Sequence, residues 1–280
     1  MSAKPPAPRP RALSIAGSDS GGGAGIQADL KTFTALGVFG MTAITAVTVQ
    51  NTQGVAGSEA LSPKIVGDQI RAVATDIGVD AAKTGMLANR GIVEAVADAV
   101  GELRISNLVV DPVLVSKHGH PLLAADAIQA LSMRILPLAL LVTPNLSEAS
   151  TLAGFPVGGR EDMRRAADAI LSLGAAAVLV KGGHLRRSTD ASDLLVTGRI
   201  EEWVEAEWID TSNTHGTGCT LSAAIASHLA MGKDVLDAVR AGKAFVTESI
   251  RHSLAIGEGI GPVDQLWAIR PESAASGEDA

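Results

Sequence analysis

The chain has few aromatic residues and no excess of basic ones. Only 2% of its 280 residues are aromatic, Tyr is absent, and the formal net charge at pH 7 is −7. Proteins that bind nucleic acids need basic surfaces for the phosphates, and many also use aromatic side chains on which bases stack. An acidic chain with so few aromatic residues therefore indicates that nucleic acid is not a partner.

The sequence also has a single cysteine, Cys219, and no HExxH spacing among its six histidines. One thiol cannot form an intramolecular disulfide, and it excludes zinc sites built from several cysteines. Long apolar segments are missing as well: residues 135–142 are far shorter than the ~20 residues of a membrane span, and Pro137 interrupts them. Because residues 1–11 lack the apolar core of a signal peptide, we expect a cytoplasmic protein with no membrane partner.

Hydrophobic residues are abundant, at 46% of the chain, and strand-like runs alternate with helical patterns. The patterns predict strands at 12–16, 43–49, 107–110, 139–142 and 177–180, helices at 26–36, 63–77, 92–103, 126–136 and 161–173, and a late hairpin of 193–197 and 200–208 around Gly198. This alternation predicts an α/β fold with a mainly parallel central sheet, helices on both faces and a small late β-hairpin or meander. We expect one domain at 11–270, a flexible tail at 1–10 and a disordered tail at 271–280.

Ligands of such folds bind beyond the carboxyl ends of the strands, so the polar residues there are site candidates. They lie at 17–19, 50–51, 83–86, 111, 145–148 and 181–184.

Another candidate is a turn that precedes a predicted helix, where residues 215–220 read His-Gly-Thr-Gly-Cys-Thr. A helix N-terminus after a glycine turn offers free N–H groups to a phosphate. A thiol in this position is expected to have a lowered pKa, so that Cys219 could take a proton from a hydroxyl group. The turn indicates phosphoryl transfer to an alcohol. The alternative is a structural turn with a small buried cysteine.

A glycine-rich loop at 17–25 contains a match to the dinucleotide pattern G-x-G-x-x-A at 23–28. That pattern also needs an acidic residue about 20 positions later, and none occurs between Asp29 and Glu59. A nicotinamide-dependent oxidoreductase is therefore only a minor alternative. A P-loop is excluded, because neither Gly-Lys pair precedes Ser or Thr.

Four further groups allow both a functional and a structural interpretation. Asp111 could reach a metal or simply start a turn, and Lys181 could bind a phosphate or be solvated. Asn145 could cap a helix with Glu148 in its first turn, or both could bind Mg²⁺ through water. Asp29 could face the glycine loop or be an ordinary solvated helix residue.

Together these motifs resemble the ribokinase-like superfamily, and within it the hydroxymethylpyrimidine/phosphomethylpyrimidine kinases of thiamine biosynthesis. The resemblance covers residues 13–267, through the segments 16–31, 50–52, 83–87, 111–113, 143–146, 180–184 and 215–220. Gly-Thr-Gly-Cys at 216–219 is the most specific motif, because most sugar kinases of the superfamily have Asp in place of Cys219.

The resemblance implies a ribokinase-like fold and an activity that needs ATP and Mg²⁺. The γ-phosphate would pass to the hydroxymethyl oxygen of 4-amino-5-hydroxymethyl-2-methylpyrimidine, and a second transfer would convert the monophosphate to the pyrophosphate. Kinases of this type are often dimers, so we also expect a homodimer.

Substrate contacts follow from the same resemblance. Gln50 would hydrogen-bond the pyrimidine ring, and Asp29 would lie near the amino edge of the substrate. Gly17, Met86 and Val113 would shape the pocket.

The resemblance also implies catalytic, nucleotide and metal sites. Cys219 would be the base. The remaining residues are Gly216, Thr217 and Gly218 in the catalytic turn, Lys181, Gly183, Thr217 and Lys243 at ATP, and Asp111, Asn145 and Glu148 at Mg²⁺.

One segment departs from the family pattern. Residues 116–120 read Ser-Lys-His-Gly-His, with His at two positions where the family more often has Ser and Asp. Two alternatives to the pyrimidine kinase stay open: a pyridoxal-type kinase of the same fold, and a non-catalytic pyrimidine-binding protein.

Overall fold

The computed structural model describes residues 9–114, 123–183 and 191–269. The 116–120 segment, His184, the predicted C-terminal tail and most of the predicted N-terminal tail lie outside these residues. The predicted division into one domain with two tails stays a prediction.

Within the described ranges the chain forms nine strands and eight α-helices. The strands are β1 (Arg11–Asp19), β2 (Phe39–Asn51), β3 (Gly54–Ala60), β4 (Ala81–Thr84), β5 (Leu108–Val110), β6 (Leu141–Val142), β7 (Ala177–Val180), β8 (Asp193–Thr197) and β9 (Glu201–Val204). The helices are α1 (Gly25–Ala35), α2 (Pro63–Asp76), α3 (Arg90–Glu102), α4 (Ala125–Ala130), α5 (Leu146–Ala153), α6 (Arg160–Leu171), α7 (Thr217–Ala230) and α8 (Val235–Arg251). A π-helical turn at Leu131–Ile135 and a 3₁₀ turn at Leu136–Leu138 continue α4.

All of these strands belong to one sheet, in the order β3-β2-β1-β4-β5-β6-β7-β8-β9. Strands β2, β1, β4, β5, β6 and β7 are parallel, while β3, β8 and β9 are antiparallel to their neighbours. The chain passes from β1 to one side and later returns to the other side at β4. Folds of this kind bind ligands where the strand order reverses in this way, which makes the carboxyl end of β1 a candidate site.

Both faces of the sheet are covered by helices, as the strand sequences require. In β5, Leu108 and Val110 belong to the apolar core under α2 to α6, while Val109 belongs to the core under α1, α7 and α8. Successive side chains of a strand point to opposite faces, so a continuous apolar run fits a strand buried on both sides. The predicted α/β class, mainly parallel sheet and late hairpin are confirmed. No helix in the described ranges is both long and apolar enough to span a bilayer.

One strand and one helix were not predicted from the sequence, and a second strand was predicted only indirectly, as one that ends before residue 83. Strand β3 is a sheet edge whose side chains are mostly exposed, so it needs no hydrophobic run. Strand β4 has only four residues, and one of them is Lys83. The prediction that Lys83 follows a strand was wrong, because it lies inside β4 with no exposed surface. Helix α8 was also missed.

Lys83 is tolerated inside the sheet because it forms a buried ion pair with Asp29 of α1. Its Nζ lies 3.2 Å from each carboxylate oxygen of Asp29, and the Ser14 hydroxyl of β1 donates to the same carboxylate over 2.5 Å. Burial alone would lower the pKa of Lys83, but the charges of Asp29, Cys219 and Asp111 and the hydrogen bond to Asp29 together outweigh burial and raise the pKa. The pair therefore ties α1 to the centre of the sheet.

Replacing one partner of this pair will destabilise the fold. Lys83→Met leaves the Asp29 carboxylate buried without a cation, and breaking a buried pair on one side costs about 3–5 kcal/mol. Urea denaturation should give a loss of that size in the free energy of unfolding. The double variant Asp29→Leu/Lys83→Met removes both charges and should recover most of the loss. Equal stability of the single and double variants would contradict this account.

Candidate active site

A cavity of about 800 Å³ lies at the carboxyl ends of the parallel strands. It is lined by all but one of the residues to which the family resemblance assigns a role: Gly17, Gln50, Met86, Asp111, Val113, Asn145, Glu148, Lys181, Gly183, Gly216, Thr217, Gly218, Cys219 and Lys243. The exception is Asp29, which has no exposed surface and is bound to Lys83. Contrary to expectation, it is neither a solvated helix residue nor in position to contact a ligand in the cavity.

The first turn of α7 forms one wall of this cavity. Gly216 precedes the helix in a left-handed conformation with φ of 84°. A side chain there would overlap the carbonyl oxygen of Gly23 in the glycine-rich loop, so glycine is required for this close approach. The Thr217 hydroxyl donates to the carbonyl of Thr214 over 2.8 Å and closes the turn. The first turn of α7 has no acidic side chain, and its N–H groups are suited to an anion.

The glycine-rich loop wraps around the carboxylate of Asp19. The N–H groups of Gly21, Gly23 and Ala24 donate to it over 2.8, 3.1 and 2.8 Å, and His215 Nε2 lies 3.0 Å from its Oδ2. Burial would raise the pKa of Asp19, but His215 and the backbone donors outweigh it and lower the pKa. Sequence reasoning included both residues in its motifs without giving either a role. Their positions could have pointed to a role, because Asp19 lies at the end of a strand and His215 lies in the glycine turn.

Gln50 is also positioned by this loop. The Ser20 hydroxyl accepts from the N–H of Gln50 over 2.8 Å and donates to its carbonyl over 2.7 Å. In the side-chain amide, Nε2 is 3.3 Å from His215 Nε2, and Oε1 is 3.2 Å from the Thr48 hydroxyl.

Gly17 and Met86 form another part of the wall. A Cβ on Gly17 would lie 2.6 Å from Met86 Cε, so a larger residue there would require the methionine side chain to move.

Acidic and basic side chains meet across the cavity from Gln50. Lys181 Nζ donates to Asp111 over 3.0 Å. Asn145 caps α5 through a reciprocal pair of bonds with Glu148, of 2.8 and 2.9 Å, which confirms the capping interpretation. Burial chiefly, and then the charge of Asp111, raises the pKa of Glu148 to about 7 against the opposing effect of Lys181.

A metal site is compatible with these residues. No group of three or more His, Cys, Asp or Glu in the described part of the chain could hold a metal ion. Mg²⁺, however, is commonly bound by one or two carboxylates together with substrate phosphates and water. Asp111 and Glu148 supply two carboxyl groups, and Lys181 is the basic side chain that pairs with Asp111. This donor set fits a divalent cation.

Lys243 lines the cavity but is held in a buried ion pair. Its Nζ donates to Asp193 Oδ2 over 2.7 Å, while Asp193 Oδ1 accepts from the N–H of Gly182 over 2.9 Å. Lys243 thus anchors the segment that carries Lys181. Asp193 was missed because it begins an apolar strand, and it reaches this edge because β8 is antiparallel to β7.

The thiol of Cys219 corrects one expectation from the sequence. Its pKa is raised to about 11, mainly by burial and further by the charges of Asp29 and Asp111. Lys83 and the N–H of Gly25 lower the pKa, but by less. The prediction of a lowered pKa from the helix N-terminus was therefore wrong for the ligand-free protein.

Comparison with known proteins shows which family the chain belongs to. The family model described as phosphomethylpyrimidine kinase matches residues 19–264. The chain belongs to this family. It is 51% identical to the hydroxymethylpyrimidine/phosphomethylpyrimidine kinase of Streptomyces coelicolor over 95% of this chain and 97% of that protein.

Solved structures agree. The phosphomethylpyrimidine kinase of Clostridium difficile has 44% identity and a TM-score of 0.77, covering 86% of this chain and 99% of that one. The pyridoxal kinase of Staphylococcus aureus in complex with AMP-PCP and pyridoxal has 35% identity and a TM-score of 0.85, covering 93% and 94%. The predicted family, fold and enzyme class are confirmed. The homodimer, the cytoplasmic location and the roles of individual residues stay predictions.

The raised pKa of Cys219 can be tested directly, because the chain has no other cysteine. Only the thiolate reacts with iodoacetamide, and a pKa of about 11 makes it scarce at neutral pH. In the ligand-free protein the alkylation rate should rise about tenfold per pH unit from about pH 7 to about pH 10 without levelling off. Free cysteine, with a pKa of about 8.5, serves as the control and should level off earlier. A plateau below about pH 8 would show that the pKa of the Cys219 thiol is lowered, as the helix N-terminus predicts.

Proposed function

We propose that the protein is an ATP-dependent kinase of thiamine biosynthesis. It phosphorylates 4-amino-5-hydroxymethyl-2-methylpyrimidine and then converts the monophosphate to the pyrophosphate. The observation that carries the proposal is that one cavity brings Cys219 and the N-terminus of α7 together with Asp111 and Lys181. Family membership supports it, and the AMP-PCP complex of the S. aureus relative supports ATP as the phosphate donor.

The transferred phosphate would sit at the first turn of α7. A Cβ on Gly218 would lie 3.4 Å from Lys181 Nζ and 3.5 Å from Asp111 Oδ2, so the lysine and the carboxylate border this turn closely. Backbone N–H groups and Lys181 would stabilise the charge on the phosphate oxygens. Transfer through a loose transition state depends mainly on such positioning and charge neutralisation.

Asp111 and Glu148, with Asn145 beside them, would hold Mg²⁺ directly or through water. When bound, the ion would neutralise phosphate charge at the reacting end of ATP. The residues of the chain would orient the nucleotide there through Lys181, Gly183 and Thr217. Lys243 would act by holding the Lys181 segment through Asp193.

Cys219 would accept the proton of the attacking hydroxyl. Sγ would first give its own proton to solvent. The substrate oxygen would then form a bond to the γ-phosphorus, the bond from that phosphorus to the bridging oxygen of ADP would break, and the hydroxyl proton would pass to the thiolate Sγ. The negative charge of Asp111 helps to keep the thiol protonated in the ligand-free protein. Compensation of that charge by a bound cation would make the thiolate easier to form.

Product analysis tests the function itself. With ATP, Mg²⁺ and the pyrimidine alcohol, ³¹P NMR should detect first a monophosphate and then a pyrophosphate. Pyridoxal, assayed in parallel, should be the poorer substrate. Preferred turnover of pyridoxal would indicate the pyridoxal-type kinase, and binding of the pyrimidine without ATP consumption would indicate a non-catalytic binding protein.

The base assignment makes a separate prediction. Cys219→Ala removes the proton acceptor and keeps the helix N-terminus, so kcat should fall by about 100-fold or more. KM for the pyrimidine alcohol should change little, because the contacts with the ring are retained. Steady-state kinetics with each substrate varied will measure both constants. An unchanged kcat would mean that Cys219 is not the base.

A further inference from the structure

The side-chain amide of Gln50 lies between two groups whose hydrogen-bonding roles can be worked out. An amide donates through nitrogen and accepts through oxygen, and a half-turn about its last bond exchanges the two ends without moving other heavy atoms. Its neighbours are the Thr48 hydroxyl, 3.2 Å away, and His215 Nε2, 3.3 Å away. Each neighbour independently decides which end of the amide it should face.

The Thr48 hydroxyl has one proton to donate. Its oxygen lies 3.0 Å from the carbonyl oxygen of Ser18, which can only accept, so the proton is used there. Toward Gln50 the hydroxyl is left with lone pairs. The amide end that faces Thr48 should therefore be the nitrogen.

The His215 side leads to the same orientation. His215 Nε2 lies 3.0 Å from a carboxylate oxygen of Asp19. That carboxylate accepts three backbone N–H groups, and its pKa is lowered, so it is ionised and can only accept. Nε2 must then carry a proton. A protonated Nε2 has no lone pair for the amide nitrogen, so the amide end that faces His215 should be the oxygen, which shares the Nε2 proton with Asp19.

We propose that Thr48 and His215, the latter held by Asp19, are positioning residues that fix the Gln50 amide with its oxygen toward His215 and its nitrogen toward Thr48. In the structure Oε1 is the atom near Thr48 and Nε2 the atom near His215, so both constraints require a half-turn of the amide. Neither constraint depends on the other. One N–H and one lone pair of the amide then remain for a ligand in the cavity, in a fixed order.

A fixed order of donor and acceptor on the Gln50 amide can distinguish two kinds of pyrimidine. The choice of a pyrimidine as the substrate rests on the proposed function. A 4-aminopyrimidine presents a ring nitrogen that accepts beside an amino group that donates. A 4-oxopyrimidine presents the reverse order, a ring N–H beside a carbonyl oxygen. An amide free to turn could pair with either edge, whereas a fixed amide pairs with only one. Thr48 and His215 thus make the pocket select the amino form.

The protonation of His215 can be measured without any activity assay. Long-range ¹H–¹⁵N spectra of the full chain labelled with ¹⁵N-histidine report which ring nitrogen carries a proton, and the His215 signals are those lost in His215→Asn. We expect a proton on Nε2. A neutral ring with its proton on Nδ1 would overturn the proposal, because Nε2 would then accept from the Gln50 nitrogen. This result stands even if the pyrimidine is not the substrate.

The selectivity is tested by Thr48→Val, with Thr48→Ser as the matched control. The ratio of kcat/KM for the amino alcohol to that for its 4-oxo analogue should fall about tenfold in Thr48→Val, the size expected for one lost hydrogen bond. KM for ATP should not change, and Thr48→Ser, which keeps the hydroxyl, should restore the ratio. An unchanged ratio in Thr48→Val would overturn the proposal. Failure of the unaltered enzyme on both alcohols would instead contradict the proposed function.

Discussion

The interaction between Asp19 and His215 is the constraint on which the rest of the site depends. It joins the carboxyl end of β1 to the turn before α7, and the two residues are 196 positions apart in the chain. The same carboxylate collects the N–H groups of the glycine-rich loop, so its charge determines the path of that loop. With the two segments held together, Gly216 can approach Gly23, and the first turn of α7 faces the ends of the parallel strands. The N-terminus of α7, the Gln50 amide and the Cys219 thiol then share one cavity.

Charge compensation is the second theme of the site. In the described part of the chain, Asp29, Asp111, Asp193 and Asp19 are paired with Lys83, Lys181, Lys243 and His215. These pairs orient donors before any ligand binds, and such preorganisation is a large part of electrostatic catalysis. Burial raises the pKa of Asp29 even within its pair, and the surroundings of Glu148 and Cys219 raise the pKa of each of these groups as well. Negative charge is thus disfavoured at Glu148 and Cys219, two points that border Asp111, and a cation bound there would favour it at both.

Much of this arrangement could be predicted from the sequence because the strands are buried on both faces. Runs such as 107–110 and 177–180 mark strand ends, and the parallel order brings those ends to one edge, so Gln50, Asp111 and Lys181 were found together. Contacts that depend on tertiary pairing were not accessible. Lys83 was predicted to follow a strand because a lysine is rarely buried inside one. Nothing in the neighbouring sequence reveals that Asp29 of α1 neutralises its charge inside β4. The pKa of Cys219 was mispredicted for a similar reason: the helix N-terminus is visible in the sequence, whereas the burial of the thiol and its acidic neighbours are not.

The long separation between Asp19 and His215 also has a consequence for synthesis. During synthesis, the residues of β1, α1 and β2 leave the ribosome long before residue 215 exists, so the cavity stays incomplete until the segment around residue 215 has been made. Ligand binding stabilises only a folded site, so it cannot assist a chain that still lacks this segment. Contacts available to such a chain are those within its first part. The buried pair of Asp29 and Lys83 is one of these, since both residues and Ser14 lie among the first 84 positions.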